Sequence, residues 1–129
     1  MRIETVHKHI AAPASTVFDY VADVGNLAEW STEFIKEAER EGDHIRAKTD
    51  MGEVTMTTRA NEESGVVDIL VESDGGPPVA FPTRVLALPD GSSAIGFTLF
   101  QLPGQPEEAF DSGLASLGRE LDNIRARFS

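Results

Sequence analysis

The stretch Phe110-Asp111-Ser112-Gly113-Leu114-Ala115-Ser116-Leu117-Gly118-Arg119-Glu120-Leu121-Asp122-Asn123-Ile124-Arg125-Ala126-Arg127-Phe128 decides how the rest of the chain is read. Phe110, Leu114, Leu117, Leu121, Ile124 and Phe128 recur at alternating steps of four and three residues, the spacing that stacks side chains on one face of an α-helix. Pro106 suits the first turn, Glu107 and Glu108 lie where the helix dipole favours anions, and Arg119, Arg125 and Arg127 follow where it favours cations. At ~1.5 Å rise per residue the segment from Pro106 to Phe128 spans roughly 35 Å, about the width of a small domain. A rod of that length with one apolar stripe needs a broad apolar surface to lie on.

Strands supply that surface. Arg2 to Ile10 reads as a first strand, after which Pro13 suits the opening turn of a helix carrying Val17, Val21 and Val24 on one face. Gly25 is expected to end it, and Asn26 with Glu29 resembles a capping pair for a second, very short helix holding Leu27 and Trp30. From Phe34 to Gln101 short β-branched and aromatic segments alternate with turn residues at roughly ten-residue spacing, which predicts six further strands in an antiparallel meander. Pro82 removes a ladder donor, so its strand is expected to bulge or to begin near Thr83. The predicted fold is therefore α+β: a seven-stranded curved antiparallel sheet around a long C-terminal helix, with two short helices after the first strand, in one domain spanning residues 1–129.

Composition agrees with a folded globule and narrows its partners. Forty per cent hydrophobic and 26% charged residues are ordinary for soluble domains, and the absence of cysteine excludes a disulfide scaffold. Eleven basic against 22 acidic side chains give a net charge of −11, with basic residues scattered, so nucleic acid and anionic lipid headgroups are poor partners. No segment has the ~20 apolar residues of a membrane span, and Met1-Arg2-Ile3-Glu4 lacks the basic-then-apolar run of a signal peptide. The expected location is cytoplasmic, without membrane insertion.

Alternation along the strands picks an inner face: Ile45, Ala47 and Thr49; Val54, Met56, Thr58 and Ala60; Val67, Ile69 and Val71; Phe81, Thr83 and Val85; Ile95, Phe97 and Leu99. A packed core and an apolar pocket use the same residue types, so hydrophobicity alone leaves both open. Gly113 and Gly118 fall at the two edges of the helical stripe, where each costs about 1 kcal/mol against alanine, and such glycines mark close backbone approach or room for a guest. Alternating turns place Asp50-Met51-Gly52, the Ser73-to-Pro78 loop and Leu102-Pro103-Gly104-Gln105 at one end of the sheet, where they would frame a mouth.

Ile10-Ala11-Ala12-Pro13 before Val17-Phe18, followed by Asp23-Val24-Gly25-Asn26-Leu27-Ala28-Glu29-Trp30, resembles the opening of the polyketide cyclase/dehydrase-like branch of the START and birch pollen allergen superfamily. Val85 to Asp90-Gly91, Phe97-Thr98-Leu99-Phe100-Gln101, Pro103-Gly104, and Phe110 followed by Glu120-Leu121 are similar to its closing strands and helix. The resemblance implies the helix-grip architecture and a hydrophobic pocket. Members bind lipids, sterols, quinones, polyketides or plant hormones there, while some act as aromatase/cyclases and others serve as chaperone cofactors.

Expected pocket residues are Trp30, Phe34, Met56, Ile69, Phe81, Phe97, Leu99, Phe110 and Leu114, with the hydroxyls of Thr49, Thr58 and Thr83 orienting a ligand. No ionisable side chain falls on the predicted inner faces, which disfavours acid–base catalysis. Asp68 and Arg84 are catalytic candidates only if a strand slips register or Pro82 re-aims its neighbours, and Tyr20 would enter the cavity by the same route. His7 and His9 share a strand face with His44 far away, but nothing completes a zinc set, so no metal or other cofactor is expected. The reading is a binder of a small hydrophobic or aromatic ligand, lipid, quinone or polyketide-like. A polyketide aromatase/cyclase or dehydratase and a protein-interaction or chaperone-regulator module are the alternatives.

Overall fold

The computed structural model describes residues 1–129. Its elements run β1 (Ile3–Ile10), α1 (Ala14–Ala22), a 3-10 turn (Val24–Asn26), α2 (Leu27–Trp30), β2 (Ile35–Glu41), β3 (His44–Thr49), β4 (Gly52–Asn61), β5 (Val66–Ser73), β6 (Val79–Phe81), β7 (Thr83–Ala87), β8 (Ser93–Phe100) and α3 (Glu107–Arg127). One antiparallel sheet has the order β1-β8-β7-β5-β4-β3-β2, with β6 hydrogen-bonded to β5 beside that path. This is the helix-grip arrangement: a curved sheet whose inner face holds the terminal helix.

Seven expected strands become eight because Pro82 divides one of them. β6 pairs with β5 through Ile69 opposite Phe81, whereas β7 pairs mainly with β8 through Val85 opposite Ile95. Proline has no amide hydrogen to give the ladder, yet its carbonyl still accepts from the Thr98 amide at 2.9 Å. The break thus lets one segment switch partners without leaving the sheet.

Helix starts and stops also differ in detail from expectation. Pro13 and Pro106 are the N-cap residues of α1 and α3, both extended, with ψ of 148° and 151°, and their carbonyls accept the first helical bonds from Val17 and Phe110. α1 ends at Ala22, ahead of Gly25, because Asp23 turns extended and its carboxylate accepts the Gly25 amide at 2.9 Å. Asn26 and Glu29 form no capping pair: the Asn26 amide donates to the Tyr20 carbonyl and Glu29 accepts from the Tyr20 hydroxyl.

The alternating register is as read on nearly every strand. Ile45, Ala47, Val54, Met56, Val67, Ile69, Val71, Phe81, Thr83, Val85, Ile95 and Phe97 are buried, while Ala60 is exposed at the far end of β4. The core is solid at one end only. There Leu121 and Ile124 of α3, fully buried, join Val17 and Val21 of α1 and Val67 and Ile95 of the sheet, each such side chain adding roughly 1.5–3 kcal/mol. Tyr20 and Phe128 close that end edge to face at 5.6 Å, with Arg127 over the Tyr20 ring at 4.3 Å.

Along its first half α3 leans on β1. The Arg2 guanidinium covers the Phe110 ring at 4.7 Å and pairs with Glu107 and Asp111, and further on Lys8 pairs with Asp122. These exposed ion pairs set the helix toward one edge of the sheet. Its opposite flank is left standing over the middle strands with nothing directly beneath.

Candidate ligand cavity

That flank is built of small residues. Taking Phe110 as the centre of the apolar stripe and ~100° per residue, Gly113, Ala109, Ser116 and Glu120 fall roughly 60–120° to one side. Ala109, Ser112, Gly113 and Ser116 do not reach the sheet, and a cavity of about 430 Å³ remains between them and β4, β5, β6 and β8. Of its 22 lining residues 14 are hydrophobic. The volume and lining match what a small-molecule site needs.

Each wall follows from a local feature of the sequence. The floor is the inward side of the sheet, where Phe81 stacks on Phe97 at 6.0 Å and on Phe100 at 5.4 Å, with Met56, Ile69 and Val71 alongside. The side wall is α2 and the segment after it, contributing Leu27, Trp30, Ser31, Glu33 and Phe34. Trp30 is enclosed, and its indole N–H has no hydrogen-bond partner in the protein. The turn at Asp50-Met51 and the loop residues Leu102 and Gln105 complete the lining. The Ser73-to-Pro78 loop, expected at the mouth, is the tip of the β5–β6 hairpin, and residues 74–78 lie exposed and outside the lining.

Sequence reasoning missed Phe100, which alternation along β8 places on the other face, and above all Glu120. It is only 5% exposed and lines the cavity. Its Oε2 accepts from the Ser31 hydroxyl at 2.9 Å, the Glu33 amide at 3.1 Å and the Phe34 amide at 3.0 Å, so the carboxyl is the post to which the 31–34 segment is tied. Oε1 makes no hydrogen bond with the protein and is not enclosed by it. Burial pushes the Glu120 carboxyl above the ordinary range, outweighing the three donors that pull it down. With Oε2 fully occupied as an acceptor, a proton bound to this group resides on Oε1. The neighbouring ties are ordinary: Arg119 grips Glu33 bidentately at 2.8 and 2.7 Å, holding that carboxyl below its usual range, and the Asn123 side-chain amide donates to the Trp30 carbonyl at 3.0 Å.

Of the side chains expected to meet a ligand, Trp30, Phe34, Met56, Ile69, Phe81, Phe97 and Leu99 line the cavity. The others lie outside the lining, each for a visible reason. Phe110 is fully buried beneath Arg2, and Leu114 projects to the same side of α3, away from the small-residue flank. Thr49 closes the β3–β4 turn by donating to the Gly52 carbonyl, Thr58 donates to the Ala22 carbonyl at the end of α1, and Thr83 donates to the Phe81 carbonyl. Main-chain acceptors therefore already occupy all three hydroxyls.

Asp68 sits opposite Arg59 on the face of β5 that alternates with the buried residues, and exposed Arg84 donates to the Ser64 carbonyl. The Tyr20 hydroxyl, pushed up to about 12 by burial and by its bond to Glu29, is spent on that bond. His7 and His9 are neighbours on β1, the His7 ring over Gly96 and His9 bonded to Ser92, while His44 contacts Asp43 elsewhere. A broader depression of about 670 Å³ on β2 and β3 is lined by Glu37, Glu39, Glu41, Arg46, Lys48 and Glu53 with two alanines, an exposed charge ladder with little apolar surface.

Residues 1–128 match the family described as polyketide cyclase/dehydrase and lipid transport. The chain belongs to that family. Solved structures agree on the fold: XoxI from Bacillus cereus superposes with a TM-score of 0.74 at 14% identity, covering 99% of this chain and 96% of that one. A START superfamily protein from Mycobacterium smegmatis gives 0.66 at 14% identity over 98% and 99%, and Ara h 8.0201 gives 0.67 at 16% over 98% and 97%. A search of curated protein sequences finds no match. At such identities the likeness shows the helix-grip fold alone. No helix is long and apolar enough to cross a membrane.

Proposed function

We propose that this member of the polyketide cyclase/dehydrase and lipid transport family binds one small hydrophobic or aromatic molecule between sheet and helix. The observation that carries this reading is the 430 Å³ cavity itself, floored by stacked Phe81, Phe97 and Phe100 and roofed by a helix flank too small to fill it. A guest of fitting shape covers the apolar lining, at roughly 25 cal/mol per Å² removed from water, and stabilises the folded state by mass action. Lipid, quinone and polyketide-like bodies all have the required apolar surface.

The test is a titration with the neutral fluorophore N-phenyl-1-naphthylamine, followed by displacement with decanol. Burying most of a ten-carbon chain, at ~0.8 kcal/mol per methylene, is the driving force by which decanol displaces the dye. Saturable one-to-one enhancement reversed by decanol is the expected result. A linear, non-saturating signal would remove the proposal.

A second reading, acid–base catalysis on a polyketide-like substrate, rests on Glu120, a buried carboxyl in the cavity lining with one oxygen unbonded. It requires a turnover that Glu120→Gln abolishes.

A further inference from the structure

Three carboxylates line the cavity, from Glu33, Asp50 and Glu120, and no lysine, arginine or histidine does. Two of them have cationic partners outside it: Arg119 grips Glu33 at 2.7 Å, and Lys36 stands 3.7 Å from Asp50. Glu120 forms no ion pair: its only bonds are the neutral donors from Ser31, Glu33 and Phe34, all to Oε2, and the nearby Arg119 is held by Glu33. Its Oε1 thus has no hydrogen-bond partner in the protein, on a residue that shares the cavity lining with aromatic rings suited to a hydrocarbon body.

We propose that Glu120 Oε1 is the anchor for a ligand's hydrogen-bond-donating head, and that the cavity selects apolar molecules bearing a protonated amine over neutral alcohols and over carboxylic acids. This rests on the cavity reading above and deepens it. An alkylammonium brings a countercharge and up to three donors to Oε1, and so favours the ionised carboxylate that burial alone disfavours. An alcohol brings one donor and no charge. A fatty acid's carboxylate would meet Glu120 in a space without a cation to separate them, where like charges repel strongly. The general acidity of the chain, at net charge −11, works in the same direction by raising the local concentration of cations.

The experiment uses three probes of one length, decylamine, decanol and decanoic acid, each displacing N-phenyl-1-naphthylamine at pH 7 from the wild-type protein and from Glu120→Gln. Glutamine keeps the oxygen that receives the three donors and replaces Oε1 by an amide nitrogen. Wild type is expected to bind decylamine at least ten-fold more tightly than decanol, and decanoic acid at least ten-fold more weakly than decanol. Glu120→Gln is expected to bring amine and alcohol within three-fold of each other. The proposal is overturned if wild type shows no preference for the amine, or if the preference survives in the variant. Should the variant not fold, the Glu120 carboxyl carbon resonance of the wild type decides the point: it must shift more with decylamine than with decanol, and a silent resonance or an equal shift counts against the proposal. Displacement by none of the three probes would sink the cavity reading as well, whereas alcohol and acid binding as tightly as amine sinks the selectivity alone.

Discussion

Gly113→Leu is expected to strengthen the fold and weaken ligand binding at once. Gly113 lies in the interior of α3, and a Cβ added to it would meet Leu99 Cδ2 at 3.5 Å, ordinary contact, with the cavity beyond. Replacing glycine by leucine in a helix gains about 0.7–1 kcal/mol from backbone propensity alone, and the added side chain buries apolar surface that now borders empty space. Thermal unfolding should therefore move up by a few degrees. The same isobutyl group takes the room of about three ligand methylenes, at ~0.8 kcal/mol each, so decanol binding should fall roughly fifty-fold. A filled interior would give the opposite pattern: overpacking would cost about 1–3 kcal/mol and leave no binding to lose. Thermal melts and the fluorophore titration on the same preparation separate the two.

The second large effect is on folding, and it lies far from the cavity. Gly65 ends the turn between β4 and β5 with φ of 75°, and its carbonyl accepts from the Val85 amide of β7 at 2.9 Å. A methyl group there would overlap the Val85 carbonyl oxygen, so β7 must shift or the bond must break. The left-handed backbone alone costs an alanine about 1 kcal/mol, and displacing a buried central strand adds more, so Gly65→Ala is expected to lose at least about 3 kcal/mol. Gly42 is the control: it has φ of 67° but open space where a Cβ would go, and Gly42→Ala should lose only about 1 kcal/mol. Urea unfolding of both variants gives the comparison, and equal losses would show that the approach of β7 to this turn is unimportant.

The sheet and the long helix were legible in the sequence because each obeys one period along its length. Ile45 and Ala47, Met56, Ile69 and Phe97 alternate as a half-buried strand must, and Phe110 through Phe128 keep the helical step. The helix ends were less legible. Asp23, a turn-prone residue one position before Val24, competes with Gly25 as a stop, and only the side-chain bond to the Gly25 amide decides between them.

The cavity was half legible. Gly113 and Gly118 left close backbone approach and spare room both open, alternation placed Phe81 and Phe97 inward but not Phe100, and the threonines look like ligand contacts on alternation alone. Their hydroxyls go instead to main-chain acceptors that lie far away in sequence or around a turn, such as Ala22 for Thr58. Glu120 escaped notice because it sits about 80° off the apolar stripe, where a charged residue is ordinarily solvated. The signal that finds it is the run Ala109, Gly113, Ser116 and Glu120, spaced four, three and four: a second helical face whose small members cannot fill space and whose last member then projects into it.

The most direct measurement is a decanol titration followed by methyl-resolved NMR. If the unfilled space lies where the small-residue flank of α3 stands off the sheet, resonances of Met56, Ile69, Val71, Leu99 and Leu117 move together and saturate, while Val17, Val21, Ile95 and Ile124 in the solid end stay put. Resonances that remain unmoved at saturating decanol, or that move on the outer face of the sheet instead, would contradict the account.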